Sequence, residues 1–300
     1  MSNTVTTVCY LCGLHPTGEE SHIIPRFVST RIARDCGGFS FREASNPNQV
    51  IQDTISFPLL CEKCEDRFGV WEDEFAIETY RPYFDAPAHP VILSPSTYDL
   101  MVSITWRILK YTLLEHPPTL NFSYFHEAEK SWREYLLKER KSVDPFNIYL
   151  ILDDDFSDST IKSSKALSRT HLRHTIVQGI FDIPYIGMLP ILGRHVVMAK
   201  LGPFILYGSM FNMENLSNQP DSWSDLKLSV TNTARVAPSE LPEDLVSHLD
   251  RVSSRITEGM ERLSKRQKEK QTDFVKKKLS KAAVRHLVDR DQQIFGEPEP

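Results

Sequence analysis

Two Cys-x2-Cys pairs constrain this chain more than any other feature: Cys9-Tyr10-Leu11-Cys12 and, after 48 intervening residues, Cys61-Glu62-Lys63-Cys64. Two residues between cysteines let both thiolates of one turn face the same tetrahedral ion, and two such pairs complete a four-sulfur zinc site. Cys9, Cys12, Cys61 and Cys64 are therefore the expected ligands of a structural Zn2+. Five cysteines in 300 residues are too few for a disulfide scaffold. The fifth, Cys36, has no partner at ligand spacing and reads as a small buried hydrophobe. Gly13 directly after Cys12 suits a tight knuckle. The second pair is expected to open a helix from Cys61 to Tyr80, with Phe68, Trp71, Phe75 and Tyr80 as its apolar stripe. Thiolates in a first helical turn meet unpaired N–H groups and the positive end of the dipole.

Between the pairs lies Glu19-Glu20-Ser21-His22-Ile23-Ile24-Pro25-Arg26-Phe27. A cysteine pair, then His-Ile-Ile-Pro, then a second pair resembles the zinc-containing HNH endonucleases, whose ββα-metal fold wraps a catalytic site around a treble clef. The likeness covers about residues 9 to 80. It implies that His22 is the general base that activates water. It also implies that an acid before that histidine and an Asn or His after the last cysteine hold Mg2+ or Mn2+ against the scissile phosphate. Here Ser21 stands at the acid position, with Glu20 and Glu19 beside it, and Glu65 follows the final cysteine. Ser56 stands where the central Asn is customary, with Asn46 and Asn48 upstream. The catalytic candidates are thus His22, Glu65, Glu20 and Ser21. A helix expected over Phe27 to Arg34 would carry Arg31 and Arg34, with Arg26 just before it. Arg26 and Arg31, with Lys63 and Arg67 near the second pair, are candidate contacts to DNA phosphates; the plainer reading is a solvent-facing helix edge.

The expected fold class is α+β: an N-terminal zinc-bound treble-clef or ββα-metal module, then a mixed helical and antiparallel β domain ending in a long C-terminal helix. The expected divisions are 1–90, 91–240 and 241–300. The Pro-rich run Arg81 to Pro90 suits a linker or wrapping loop. Tyr98 to Glu115 and Tyr124 to Lys141 read as amphipathic helices. Ile148 to Leu152, Thr175 to Ile183, Tyr185 to Leu192, His195 to Lys200 and Phe204 to Met210 read as strands of a meander. Met213 to Asp225 reads as a loop, and Pro242 to Ile294 as mostly helical. Asp153-Asp154-Asp155 reads as a polar turn, with a helix cap near Ser157. His171 and His174 fall on one helical face without a third ligand.

The formal charge is −5, which argues against a uniformly basic nucleic-acid binder. Yet Asp250 to Arg285 holds 12 Lys and Arg against 5 Asp and Glu. Such a segment can serve as a phosphate-binding element, as a homo-oligomer or protein-partner surface, or as a solvated helix. Met1 to Tyr10 lacks a basic start followed by an apolar run, and the apolar region Ile176 to Phe211 is broken by prolines and charges. The expectation is therefore a cytoplasmic protein without membrane attachment. The resemblance implies a metal-dependent DNA endonuclease, of a kind met in microbial antiphage defence. The alternative is a catalytically inactive treble-clef zinc protein that docks nucleic acid or protein.

Overall fold

The computed structural model describes residues 7–18, 20–36, 41–51, 53–85, 91–117, 123–183, 195–210, 221–228, 237–238, 240–278 and 285–295. It is a mixed α+β structure with antiparallel sheets. Glu19 and the expected strand Tyr185 to Leu192 lie outside the described residues.

The N-terminal part is built of short pieces. Strand β1 (Ser21–His22) precedes helix α1 (Arg26–Asp35), which is entered through Pro25. Strands β2 (Phe41–Arg42) and β3 (Val50–Ile51) form a hairpin, and β4 (Ser56–Phe57) returns antiparallel to β1, with His22 opposite Ser56. Helix α2 (Glu62–Phe75) starts at Cys61 and runs on through a π-helical turn, Ala76–Tyr80, into α3 (Arg81–Asp85). The stripe Phe68, Trp71, Phe75 and Tyr80 is buried as its spacing predicts. The expected linker is instead one further turn of helix, Arg81–Asp85, continuing the run from Ala76–Tyr80, so Pro82 removes one backbone donor from it. That turn also buries Tyr83, whose hydroxyl donates to Asp153 Oδ1 at 2.6 Å.

Helix α4 (Pro95–Glu115) begins three residues before the expected start. Ser94 caps it by accepting from Thr97 N, and Pro95 occupies the first position. From Leu100 to Leu109 every residue is buried. The one-sided amphipathic expectation thus gives way to a helix enclosed on all sides, between α2, helix α5 (Ser123–Leu136) and the main sheet. Helix α5 stops five residues early, at Leu136, because Lys138 takes a left-handed backbone conformation, φ 63°.

The main sheet joins β5 (Ile148–Leu152), β6 (Ile176–Asp182), β7 (His195–Leu201) and β8 (Phe204–Ser209) in the order β5-β8-β7-β6, all antiparallel. The meander expectation holds for β6 to β8, while β5 docks beyond β8 rather than beside β6. In β5, Ile148, Leu150 and Leu152 face the core shared with α4 and the cysteine cluster; Tyr149 and Ile151 face the second core. Burial on both faces explains why β5 and β8 read as nearly unbroken apolar runs instead of alternating ones. Gly208 lies where β8 meets α4: a Cβ there would fall 2.2 Å from Thr105 Cγ2.

After β5 the three aspartates form a 3-10 turn, Asp153–Asp155, and Ser157 caps helix α6 (Asp158–Ser163). Helix α7 (Arg169–His174) follows, and its Arg173 clamps the buried Asp153 with two hydrogen bonds of 2.6 and 3.0 Å. The expected loop Met213 to Asp225 overlaps a 3-10 helix, Asp221–Leu226, whose Trp223 is buried against Tyr149 and Tyr207. The C-terminal segment is three helices in place of one: α8 (Glu243–Glu261), α9 (Lys265–Lys278) and α10 (Arg285–Phe295). The first break follows from buried Leu263 and from Ser264, whose N–H donates to Asn48 Oδ1. α8 closes the second core with Leu245, Leu249 and Val252. α10 folds back on α7, where Asp291 accepts from the N–H groups of Arg169 and Thr170. No described helix is long and apolar enough to cross a membrane.

Candidate metal centre and the His22 site

The first cysteine pair sits in a turn closed by Gly13 N–H donating to Cys9 O at 2.9 Å, with Gly13 at φ 68°. The second pair occupies the cap and first turn of α2, where the Cys64 and Glu65 N–H groups both donate to Cys61 O. The four Sγ atoms lie within 4.8 Å of one another, and Cys12 and Cys61 are 3.8 Å apart. A tetrahedral ion with bonds of about 2.3 Å sets its ligands roughly 3.8 Å apart. Burial pushes the Cys9 thiol up, and burial with repulsion from the other three raises Cys64 further. At Cys12 burial is outweighed by backbone and thiol hydrogen bonds, which bring it to about 7. Four thiolates enclosed this closely repel one another unless a cation lies between them, so the cluster can hold a metal ion. Among the described residues it is the one group arranged to do so.

Next to this cluster, β1 presents Ser21 and His22 to opposite faces, as successive strand residues must. His22 is partly exposed, and its Nε2 lies 3.1 Å from Asp53 Oδ2. Burial would raise the Asp53 carboxyl, but the Thr54 N–H, the His22 ring and Arg26 outweigh it and hold Asp53 below the ordinary carboxylate range. A carboxylate only accepts, so Nε2 donates in this contact. Ser29 Oγ and Thr54 N–H donate to the other Asp53 oxygen. Beneath the strand, the fully buried Arg107 of α4 donates to His22 O at 2.8 Å and to Glu72 Oε1 at 2.8 Å. The carbonyl that anchors His22 is thus tied to the central helix. Ile23 and Ile24 are buried and seat the strand in the core.

On the opposite face, buried Ser21 donates to Glu65 Oε2 at 2.6 Å. The expected neighbours Ser21 and Glu65 are brought together, whereas His22 meets Asp53 and, among the described residues, has no hydrogen bond or ion pair with Glu65. Glu20 is exposed and accepts from Ser56 Oγ across the β1–β4 pair.

The basic candidates divide. Arg26 is 73% exposed and lies 3.4 Å from Asp53, and Lys63 is exposed. Arg31 is corrected as a phosphate contact: it is 7% exposed, and its guanidinium is engaged by Asp35 and Asp85 at 2.8 Å each. Arg67 is half-buried over Phe68 and Trp71, which makes it a packing residue first. Asp53 and Arg107 were not singled out from the sequence. Asp53 sits in a loop outside every motif, and Arg107 is a lone cation in an apolar helix, a position that itself calls for a partner. Comparison with protein-family models, curated proteins and solved structures finds no match to this chain.

Proposed function

We propose that the chain is an HNH-type endonuclease that hydrolyses DNA phosphodiester bonds, with a treble-clef module held by Zn2+ at Cys9, Cys12, Cys61 and Cys64. The observation that carries this reading is the His22–Asp53 pair: a partly exposed imidazole whose Nε2 is bound to a carboxylate. Such an imidazole takes a proton from water at neutral pH. Asp53 fixes the tautomer and steadies the imidazolium that forms, and Arg107 holds the strand on which the ring rides. Arg26, beside the pair, is placed to meet the negative charge of a phosphate.

The donor set for a second metal is one carboxylate, Glu65, and one hydroxyl, Ser21, in contact with each other. This suits Mg2+ or Mn2+ only where substrate oxygens and water supply the remaining ligands, as is usual for Mg2+ at phosphate sites. His22 lies on the other face of β1, so an ion held by Glu65 and Ser21 would not sit beside the imidazole.

A non-catalytic docking module is the second reading. It is favoured by the same Ser21–Glu65 hydrogen bond, because Ser21 supplies a neutral, buried group in place of an acid. Plasmid cleavage with Mg2+ or Mn2+ tests the choice. The unaltered protein is expected to nick or linearise DNA and His22→Ala to lose that activity with an unchanged melting temperature. Equal cleavage by both removes His22 as the base; no cleavage by either moves the assignment to docking.

A further inference from the structure

The basic stretch of the C-terminal segment takes no part in the chemistry proposed for His22, yet the fold ties it down beside that site. Asn48 clamps the corner between α8 and α9: its Nδ2 donates to Arg262 O at 3.3 Å, and its Oδ1 accepts from the Ser264 N–H at 2.9 Å. Arg42 of β2 donates to Gln267 Oε1 at 3.0 Å. Gly259 lies so near Ala44 that a Cβ would fall 2.4 Å from its carbonyl oxygen. The corner is thus held on the β2–β3 hairpin, and the chain leaves β3 at Ile51, just before Asp53. Arg255 of α8 lines the same hollow as Asp53.

Charge is concentrated on these two helices. Arg251 to Lys270 holds 7 Lys and Arg against 3 Asp and Glu, in a chain whose formal charge is −5. Arg251, Arg255 and Arg262 are spaced i, i+4 and i+11, which places them within about 40° on one side of α8 over about 16 Å. All three are exposed, and Glu258 is the acid interposed among them. Lys265, Arg266, Lys268 and Lys270 continue the run, also exposed, while Gln267 turns to the hairpin. Arg266 and Lys270 stand four apart, where like charges destabilise a helix. Lys265, Arg266 and Lys270 have no acidic partner among the described residues. A polyanion laid along this side would relieve the repulsion, and B-DNA carries one charge per about 1.7 Å of its axis. No aromatic residue lies between Arg251 and Lys270, so the surface has nothing to stack on unpaired bases, as single-strand binders do.

We propose that the exposed side of α8 and α9, from Arg251 to Lys270, holds duplex DNA by its phosphate backbone, with Arg255 at the end nearest Asp53. The choice of DNA rests on the nuclease reading; the contact itself is independent of base sequence.

Binding is read apart from cleavage, by fluorescence anisotropy of a labelled mixed-sequence duplex with the full-length protein and no added Mg2+ or Mn2+. Changing Lys265, Arg266 and Lys270 together to Gln is expected to weaken binding at least tenfold and to leave the melting temperature unchanged. The slope of log K against log salt is expected to shrink by about 2 to 3. Arg251→Gln with Arg255→Gln is expected to act in the same direction. Lys130→Gln, Lys141→Gln and Lys162→Gln together remove the same charge from exposed positions elsewhere, and are expected to change binding less than threefold. The proposal is overturned if the unaltered protein does not bind the duplex, or if the two triple variants lose affinity equally. It is also overturned if polyglutamate displaces the duplex at equal charge concentration, which would make the partner an acidic protein. His22→Ala is expected to bind as the unaltered protein does. If the unaltered protein binds DNA through these cations and cleaves none, the nuclease reading fails and this one stands. If it cleaves while the α9 variant binds undiminished, the reverse holds.

Discussion

At the residue scale, His22 and Asp53 act as a unit. Replacing Asp53 by Asn leaves the loop isosteric but puts an amide where the ring proton needs a carboxylate, so the reactive tautomer is no longer enforced. On the proposed nuclease reading, cleavage by Asp53→Asn is expected to fall by about 10²–10⁴, the usual contribution of a positioned base, with an unchanged melting curve; single-turnover plasmid cleavage measures it. Three other histidines bear on stability. His171, His174 and His248 are held neutral by burial, with values lowered to about 4, about 3 and about 4. Each takes up a proton more readily unfolded, near its ordinary 6.5, than folded. Their contribution is therefore complete above that value and is lost as pH falls toward 4. Denaturant unfolding at pH 7 and pH 5 should show the loss. His248→Gln, which cannot protonate, should reduce the slope by up to about 1.4 kcal/mol per pH unit.

At the element scale, the enclosure of α4 explains why small changes along it would be felt in both halves of the molecule. Gly208 lets β8 approach this helix, and Gly208→Ala sets a methyl carbon 2.2 Å from Thr105 Cγ2, backed by Trp132. The expected destabilisation is about 1–3 kcal/mol, as for other overpacked sites, readable as a lower denaturant midpoint. Ser94→Ala removes the α4 cap and is expected to cost about 1 kcal/mol. α4 was legible from its apolar spacing and from the His116-Pro117 stop, because both are local. The burial of every residue from Leu100 to Leu109 was not, since spacing reports the stripe that faces one neighbour and α4 has several. The halt of α5 at Leu136 was equally illegible: Lys138 is an ordinary helix former that tertiary contacts, among them its ion pair with Asp99 at 2.8 Å, hold in a left-handed turn. The C-terminal helices divide at Leu263 because a single apolar residue in a charged stretch finds a place to bury.

At the scale of the whole molecule, one core cluster runs from Cys9, Cys61 and Cys64 through Phe68 and Trp71 to α4 and the inner face of the sheet. Metal held at the four sulfurs is therefore coupled to the packing of the larger part of the chain. Removing it with a chelator is expected to lower the melting temperature and to cost several kcal/mol, on the order of what ligand binding contributes to folding in small metal sites. Cys64→Ser should reproduce the effect and abolish stoichiometric zinc by elemental analysis. Asp291 on α7 and Arg290 on Asp158 tie the terminal helix α10 to the same body. Its acidic side chain thus serves as an intramolecular cap.

The cysteine spacing, the stripe of α2 and the apolar strands could be read directly from the chain, because each depends on a period or a turn only a few residues long. The company that His22 keeps could not. Asp53 is 31 residues from it and Arg107 is 85, and nothing local in either neighbourhood marks the pairing. Which carboxylate meets the imidazole, and which guanidinium is spent on buried acids and which is left in solvent, depends on how β1, the β3–β4 loop and α4 come together. Such meetings are settled by burial and desolvation across the whole fold, where a charge survives only beside a partner.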